Sequence, residues 1–241
     1  MALSRIVQLT ESYQLSAGGC EIYLSCPAFF AKLLSATLSG WKVELSKTQH
    51  QSELSISFED NSYTVASEHL NLASHYSDLV DTLNIVLIAL ARLYTKFRPN
   101  KAMIHCAAFI TRDGLSTLVL GNKKAGKSSL TWQTACGAGT VLADDLLLWD
   151  EAVGKFECLG MPVRLRRPVQ WYGEPEVLKK YIIAGRRLAY TRNSMIAIAP
   201  VGHVFIPDEI LTAESVGVFK PIPVRKIKHA LQEARISSSP I

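Results

Sequence analysis

The residue types best suited to phosphate chemistry stand together between Gly121 and Ser128. This segment reads Gly-Asn-Lys-Lys-Ala-Gly-Lys-Ser and fits the pattern G-x-x-x-x-G-K-[ST] of a phosphate-binding loop. Its glycines let successive backbone N–H groups turn toward phosphate oxygens, and the helix that follows adds the positive end of its dipole. Lys127 supplies a flexible positive charge for β- and γ-phosphates, and the Ser128 hydroxyl is a hard oxygen ligand for Mg²⁺. We therefore predict a nucleotide-binding site made of Gly121, Asn122, Lys123, Lys124, Ala125, Gly126, Lys127, Ser128 and Ser129.

Two adjacent carboxylates, Asp144 and Asp145, follow the loop after one predicted helix. The apolar run Thr140 to Ala143 predicts a short strand that ends at this pair. Ligands bind at the carboxyl ends of strands in parallel α/β sheets, so we expect the pair near the metal and the γ-phosphate. One carboxylate, assigned as Asp144, would hold Mg²⁺ with Ser128, and the other would accept a proton, although which of the two is the base stays open. An isolated Asp-Asp pair is otherwise typical of a solvated turn.

One histidine, His105, lies upstream of the loop in the apolar segment Met103 to Ile110. A single histidine in such a segment is usually a core residue with its hydrogen bonds satisfied. Its position becomes of interest only through a resemblance to a known family.

The order of the histidine, the loop and the aspartate pair along the chain resembles that in the catalytic domain of HPr serine kinase/phosphorylase and its shorter relatives, which include kinases associated with ribosomally made peptides. The matching segments are Met103-Ile-His-Cys-Ala-Ala108, Leu118-Val-Leu-Gly121, the loop with Ser129-Leu130, and Leu142-Ala-Asp-Asp145. The resemblance covers roughly residues 101 to 167. It is more specific than a phosphate-binding loop alone, because most other P-loop NTPases place their metal-binding aspartate much further along the chain.

The resemblance implies a fold and an activity. The fold would be α/β, with a phosphoenolpyruvate-carboxykinase-like P-loop kinase core. His105, Asp144 and Asp145 would form the proton-transfer cluster of a kinase that uses ATP, with GTP not excluded, and Mg²⁺. The acceptor would be a hydroxyl, with serine of a peptide or protein as the leading class. Two alternatives stay open: a kinase of small hydroxyl compounds, and a nucleotide-binding sensor or accessory protein that transfers nothing.

Two further segments enter through the same resemblance. Phe156 to Gly160 is similar to the family stretch that carries a metal-associated glutamate, which implies Glu157 as an additional Mg²⁺ contact. The basic segment that follows resembles a Pro-containing stretch of the short relatives, and its arginines either neutralise the transferred phosphate or form solvated surface. The three arginines are Arg164, Arg166 and Arg167.

A helical pattern separates two parts of the chain. Apolar residues recur at helical spacing from His75 to Tyr94, and Arg98, Pro99 and Asn100 end the helix. Upstream, short alternating strands and one helix near Phe29 to Leu38 predict a small sheet with helices. We therefore predict an N-terminal α+β region at 1–98, connected with substrate or partner recognition, and a P-loop catalytic domain at 99–241. In the second part we expect strands at 103–110, 115–120, 146–149, 155–158, 195–199 and 203–206, and helices at 127–135, 174–181 and 224–235.

The composition is that of an ordinary globular protein. The chain has 241 residues with 26 Lys and Arg against 21 Asp and Glu, and this mild surplus is scattered, so it predicts no nucleic-acid partner. Leu79 to Leu93 falls short of the roughly 20 apolar residues that cross a bilayer, and the first residues lack a signal-peptide pattern. We expect a cytoplasmic protein without membrane contact; homo-oligomer formation stays open. We also expect reduced packing cysteines at Cys20, Cys26, Cys106, Cys136 and Cys158.

Overall fold

The computed structural model describes residues 9–48, 50–166, 168, 172–215 and 217–236. Within these residues the chain forms three β-sheets and five α-helices. This mixed α/β architecture confirms the predicted α/β class. Among the helices in the described ranges, none combines the length and the apolar character needed to cross a membrane.

The first half of the chain forms a six-stranded sheet with two helices. The sheet has the order β3-β1-β2-β4-β5-β6, and all neighbours are antiparallel except β2 and β4. Asp60 and Asn61 both have positive φ and form the predicted turn between β4 and β5. The elements are β1 Thr10–Ala17, β2 Cys20–Pro27, α1 Ala28–Thr37, β3 Lys42–Leu45, β4 Leu54–Glu59, β5 Ser62–Ser67, a 3₁₀ turn Glu68–Leu70, β6 Leu72–Tyr76 and α2 Leu79–Lys96.

The long helix α2 begins later than its apolar spacing predicts. His75 belongs to β6, where it pairs with Thr64, so the predicted start at His75 is wrong. Asp78 is the N-cap: its Oδ1 accepts hydrogen bonds from the backbone N–H groups of Val80 and Asp81, at 2.8 and 3.1 Å. The aspartate pairs with backbone N–H groups that would otherwise have no acceptor, and its negative charge interacts favourably with the positive N-terminal end of the helix dipole. These two effects stabilise the first turn of α2.

The second half forms a seven-stranded mixed sheet and a small three-stranded sheet. The larger sheet has the order β14-β10-β9-β7-β8-β15-β16, and the smaller one has the order β11-β13-β12. The strands are β7 Lys101–Ile110, β8 Ser116–Gly121, β9 Thr140–Asp150, β10 Lys155–Glu157, β11 Arg164–Arg166, β12 Ile182–Ala184, β13 Leu188–Thr191, β14 Val204–Phe205, β15 Glu209–Ser215 and β16 Val218–Pro221. The helices are α3 Lys127–Cys136, α4 Pro175–Tyr181 and α5 Val224–Glu233.

The strand that carries the aspartate pair differs from its prediction. β9 continues through the pair to Asp150 and lies antiparallel to β7, so the pair stands in mid-strand and not at a carboxyl end in a parallel sheet. The pair still lies near the loop, because β8 and β9 flank β7 and run in the same direction. Ala107 of β7 pairs with Val119 on one side and with Asp144 on the other. The aspartates are therefore level with the end of β8, where the loop begins.

Some smaller expectations also change. The predicted strand at 195–199 is a turn followed by one isolated bridge, in which Ile198 pairs with Val141. The predicted strand at 203–206 is reduced to the two residues of β14. All five cysteines are free; four are buried, but Cys136 is exposed, so the packing role predicted for it is wrong.

The two halves share a hydrophobic core. The largest cluster of buried side chains joins Leu83 and Leu90 of α2 to Leu148 of β9 and Tyr190 of β13. Residues on both sides of the predicted boundary at 98 and 99 therefore pack against each other. The boundary itself stays a prediction.

Candidate functional site

The predicted phosphate-binding loop connects β8 to α3. Gly121 has a φ of 125° and a Cβ atom there would lie 2.8 Å from the backbone oxygen of Ala213, so only glycine fits between the loop and β15. Gly126 is the N-cap of α3 and has a φ of 92°. Its neighbour Ala125 is buried and accepts a hydrogen bond from the Gly217 N–H, so the β15–β16 hairpin supports the loop. Asn122, Lys123 and Lys124 are exposed.

Lys127 is the first residue of α3 and only 7% exposed. Its Nζ donates hydrogen bonds to the backbone oxygens of Gly121 and Asn122, at 2.7 and 2.9 Å. Burial lowers the pKa of this amine, while the negative charges of Asp144 and Asp145 oppose that effect. The ammonium group is therefore bound to the loop backbone and interacts electrostatically with both carboxylates.

Asp144 is buried, with 3% exposure, and its two oxygens differ. Oδ2 accepts a hydrogen bond of 2.8 Å from the Arg164 N–H, whereas Oδ1 is buried and has no hydrogen-bond partner among the described residues. The Ser128 side chain lies close enough to lower the pKa of this carboxyl, but burial dominates and raises that pKa to about 6.

The Ser128 and Asp144 pair fits a magnesium ion. An unpartnered buried carboxylate oxygen is costly, and a nearby cation would both pair with it and favour its ionised form. Within the described residues no group of three or more His, Cys, Asp and Glu side chains could hold a metal by itself. Mg²⁺ does not need such a group when phosphates and waters supply the other ligands.

Asp145 and His105 are in direct contact. The His105 Nε2 lies 2.9 Å from Asp145 Oδ1, and the Arg164 guanidinium lies 2.9 Å from the same oxygen. Burial alone would raise the pKa of Asp145, but the His105 hydrogen bond and the Arg164 charge outweigh it and hold the pKa below its ordinary value. Its φ of 87° is unusual for a residue with a side chain and marks a local distortion of β9. At neutral pH this carboxylate is therefore ionised and tightly oriented.

Sequence patterns missed part of this site. Of the two alternatives given for Arg164, solvated surface is wrong, because its side chain is 23% exposed and is bound to Asp145. Its contact with the transferred phosphate stays a prediction. The Arg164 guanidinium donates a 3.2 Å hydrogen bond from NH1 to Oδ1 of Asn84 in α2. The hydroxyl of Tyr190 in β13 donates a 2.7 Å hydrogen bond to the same amide oxygen. No motif marks these residues, which lie far apart in the sequence. Arg166 is exposed, and Arg167 lies outside the described residues.

The structure does not bring Glu157 to the aspartates. Glu157 of β10 pairs with Leu148, four residues along β9 from Asp144. Its carboxylate is 3% exposed, accepts a 2.6 Å hydrogen bond from the Tyr94 hydroxyl and is bound to Lys101 and, at 3.4 Å, Arg98. All these partners favour the charged form and lower the pKa of Glu157 against the effect of burial. The additional Mg²⁺ contact expected from the resemblance is therefore not formed.

The Glu157 cluster yields a stability prediction. Replacing Glu157 by Gln is expected to lower the free energy of unfolding at pH 7 by roughly 2–4 kcal/mol, because two cations lose a buried partner. Since the folded-state pKa is depressed, the stabilisation is present above the ordinary glutamate pKa and disappears as the pH falls through the folded value. Urea unfolding at several pH values measures this difference. The exposed Glu176, bound to Lys179, gives the control E176Q, with an expected change below about 1 kcal/mol. Equal stability of E157Q and wild type at pH 7 would contradict the assignment.

An open cleft of about 500 Å³ lies beside the loop. It is lined by Gly121 to Lys123, by His105, by the end of β15 and by the C-terminal end of α5. The segment after α5 closes one side, since Ala234 accepts a 2.8 Å hydrogen bond from the His105 N–H. A second cavity, on the α2 side of the aspartates, measures only about 20 Å³, which leaves room for about one water molecule. Of these two cavities only the cleft has room for a substrate, and His105 and the start of the loop line it, whereas both aspartates line the smaller cavity.

Comparisons with known proteins do not identify the chain. No protein-family model matches it, and no curated protein matches it significantly. The resemblance to the HPr kinase family therefore stays an expectation. Function has to be inferred from the residues around the loop.

Proposed function

We propose that this protein is an ATP-dependent, Mg²⁺-assisted phosphotransferase that moves the γ-phosphate to a hydroxyl group. The proposal includes a phosphoenolpyruvate-carboxykinase-like P-loop kinase core in the second half of the chain and serine of a peptide or protein as the acceptor. It is supported by one observation: a G-x-x-x-x-G-K-[ST] loop lies close to two carboxylates and a histidine. The pKa of one carboxylate, Asp144, is raised, and that of the other, Asp145, is lowered. Such a combination provides phosphate binding, a metal ligand and a proton acceptor in one place.

The binding part of the reaction is assigned to the loop and the buried aspartate. The loop N–H groups and Lys127 bind the β- and γ-phosphates, and Ser128 with Asp144 Oδ1 holds Mg²⁺. The metal, when bound, neutralises charge that develops on the transferred phosphate. Asp144 suits this role because its buried Oδ1 has no hydrogen-bond partner in the part of the chain that the structure describes.

The proton-transfer part is assigned to Asp145 and His105. Asp145 is 21% exposed, more accessible than Asp144, and its lowered pKa keeps it ionised at neutral pH, which is the form that can accept a hydrogen bond and then the proton of a hydroxyl. His105 holds Asp145 Oδ1 and also lines the open cleft, so an acceptor hydroxyl can reach the pair from that side. The acceptor oxygen would lose its proton to this pair as it bonds to the γ-phosphorus, while the bond from that phosphorus to the bridging oxygen breaks and ADP leaves.

A small hydroxyl compound is a second candidate acceptor. The cleft volume of about 500 Å³ lies within the range of roughly 300–1,000 Å³ typical of small-molecule sites. Labelled-phosphate transfer from ATP to peptides and to small hydroxyl compounds separates the two acceptor classes. Tight ATP binding without any transfer or hydrolysis would support the non-catalytic sensor instead.

Replacing Asp145 by Asn tests the proton-transfer assignment. We expect D145N to bind ATP with Mg²⁺ within about threefold of wild type but to lose roughly 100- to 10,000-fold in turnover, because a general base contributes a factor of that size. ATP turnover and calorimetric ATP binding measure the two effects. D150N changes the same residue type at the end of the same strand and should retain full turnover. Equal turnover of D145N and wild type would remove Asp145 from the mechanism.

A further inference from the structure

Arg164 contacts both aspartates, but with different groups. Its backbone N–H donates a 2.8 Å hydrogen bond to Asp144 Oδ2, and its guanidinium lies 2.9 Å from Asp145 Oδ1. We propose that Arg164 is a positioning residue for the transfer reaction, and that Asn84 and Tyr190 hold it in place. The proposal rests on the proposed function and adds that the N-terminal half of the chain completes the site.

The guanidinium is the group that fixes the Asp145 side chain from the α2 side. Asp145 Oδ1 lies between His105 toward the cleft and Arg164 toward α2. If the guanidinium is removed, the carboxylate keeps one neighbour and can rotate away from an incoming hydroxyl. The contact with Asp144 comes from the backbone, so a change of the Arg164 side chain leaves that contact in place. Side-chain variants therefore remove a direct contact only from the proton acceptor; at Asp144 they remove the guanidinium charge, which lowers the pKa of that carboxyl, but no hydrogen bond.

Asn84 fixes the guanidinium in turn. Its Oδ1 accepts hydrogen bonds from Arg164 NH1, at 3.2 Å, and from the Tyr190 hydroxyl, at 2.7 Å. Tyr190 is itself buried, with 3% exposure, so the amide oxygen is held by a rigid neighbour. The cavity of about 20 Å³ beside these side chains is too small for the guanidinium to turn into. α2, from the first half of the chain, thus sets the position of Arg164.

Neutral and conservative variants of Arg164 test the inference. We expect R164Q to lower the turnover number for ATP hydrolysis with Mg²⁺ by about 100-fold, a loss typical of a displaced catalytic group. The dissociation constant for ATP should stay within about threefold. R164K restores a positive charge next to Asp145 and should recover at least about tenfold of the loss. A merely structural role would instead lower turnover and ATP affinity together.

Asn84 provides a second variant that does not leave a buried charge unpaired. N84A should lower turnover by about tenfold with unchanged ATP affinity. R187A is the matched control, because the exposed Arg187 also links this part of the chain to α2, through a 2.9 Å contact with Asp81, but lies outside the site. R187A should turn over ATP at the wild-type rate.

The outcomes separate the inference from the proposed function. Wild-type turnover in R164Q or N84A, or a parallel loss of ATP affinity, would overturn the positioning role alone. If R164Q fails to fold, the N84A result decides. A wild-type chain that binds ATP but neither transfers nor hydrolyses it would overturn the proposed function and the positioning role together.

Discussion

Replacing Lys127 by Ala is expected to abolish measurable phosphate transfer. The side chain is the one buried cation of the loop, and a charge-assisted contact to phosphate contributes roughly 1.5–3 kcal/mol, so ATP affinity should fall about 10- to 100-fold. Turnover should fall further, by about 1,000-fold or more, because the same charge stabilises the transferring phosphoryl group. Calorimetric ATP binding and labelled-phosphate transfer measure the two quantities.

Lys123 offers a comparison within the same loop. K123A removes an equal charge, but this side chain is exposed, so solvent already screens it. We expect a loss of ATP affinity below about fivefold. Similar effects of K123A and K127A would mean that the loop attracts phosphate only through its net charge. Full transfer activity in K127A would refute the nucleotide site itself.

Replacing Asp144 by Asn is expected to stabilise the ligand-free protein while removing its response to Mg²⁺. Burial raises the pKa of Asp144 from 3.8 to about 6, so the folded protein holds a charge at pH 7.5 that its surroundings disfavour. A difference of about two pKa units corresponds to roughly 3 kcal/mol as an upper bound. We expect a gain of about 1–3 kcal/mol for D144N in urea unfolding, with the Mg²⁺-dependent part of ATP affinity lost.

The difference in unfolding free energy between D144N and wild type should depend on pH. Because the folded-state pKa is raised, wild type gains stability as the pH falls from about 6 toward 3.8, and D144N lacks this gain. The advantage of D144N should therefore shrink in acid. D145N is a control for which we expect the opposite change in stability. Because the pKa of Asp145 is lowered in the folded protein, its charge stabilises the fold at neutral pH, and D145N should be less stable than wild type there. A D144N protein less stable than wild type at pH 7.5 would contradict the assignment.

Local sequence patterns predicted the elements around the loop well. The glycines, the lysine and the following helix are specified by neighbouring residues, and α3 begins at Lys127 as expected. The proximity of the aspartates to the loop was also expected, but for a wrong reason. A short apolar run cannot reveal whether its strand continues, and β9 extends to Asp150 beside an antiparallel partner.

The contact between the positioning side chains could not be predicted from the sequence. Asn84 and Arg164 are 80 residues apart, and each stands in a segment whose local pattern only indicates a helix or a basic stretch. Their contact depends on α2 packing against the second half of the chain. Glu157 shows the opposite case, in which a local resemblance predicted a site residue that the fold does not place at the site. Its segment resembles a metal-binding stretch, but Glu157 pairs with Leu148, four residues along β9 from Asp144.

The left-handed backbone at Asp145 restricts which residues can stand there. Aspartate, asparagine and glycine adopt such a φ more readily than other residues, so the choice is narrow for reasons independent of chemistry. An asparagine in a homologous chain would keep the fold and lose the carboxylate. Under the proposed function, an asparagine at this position next to an intact loop would identify a homologue that binds the nucleotide without transferring its phosphate.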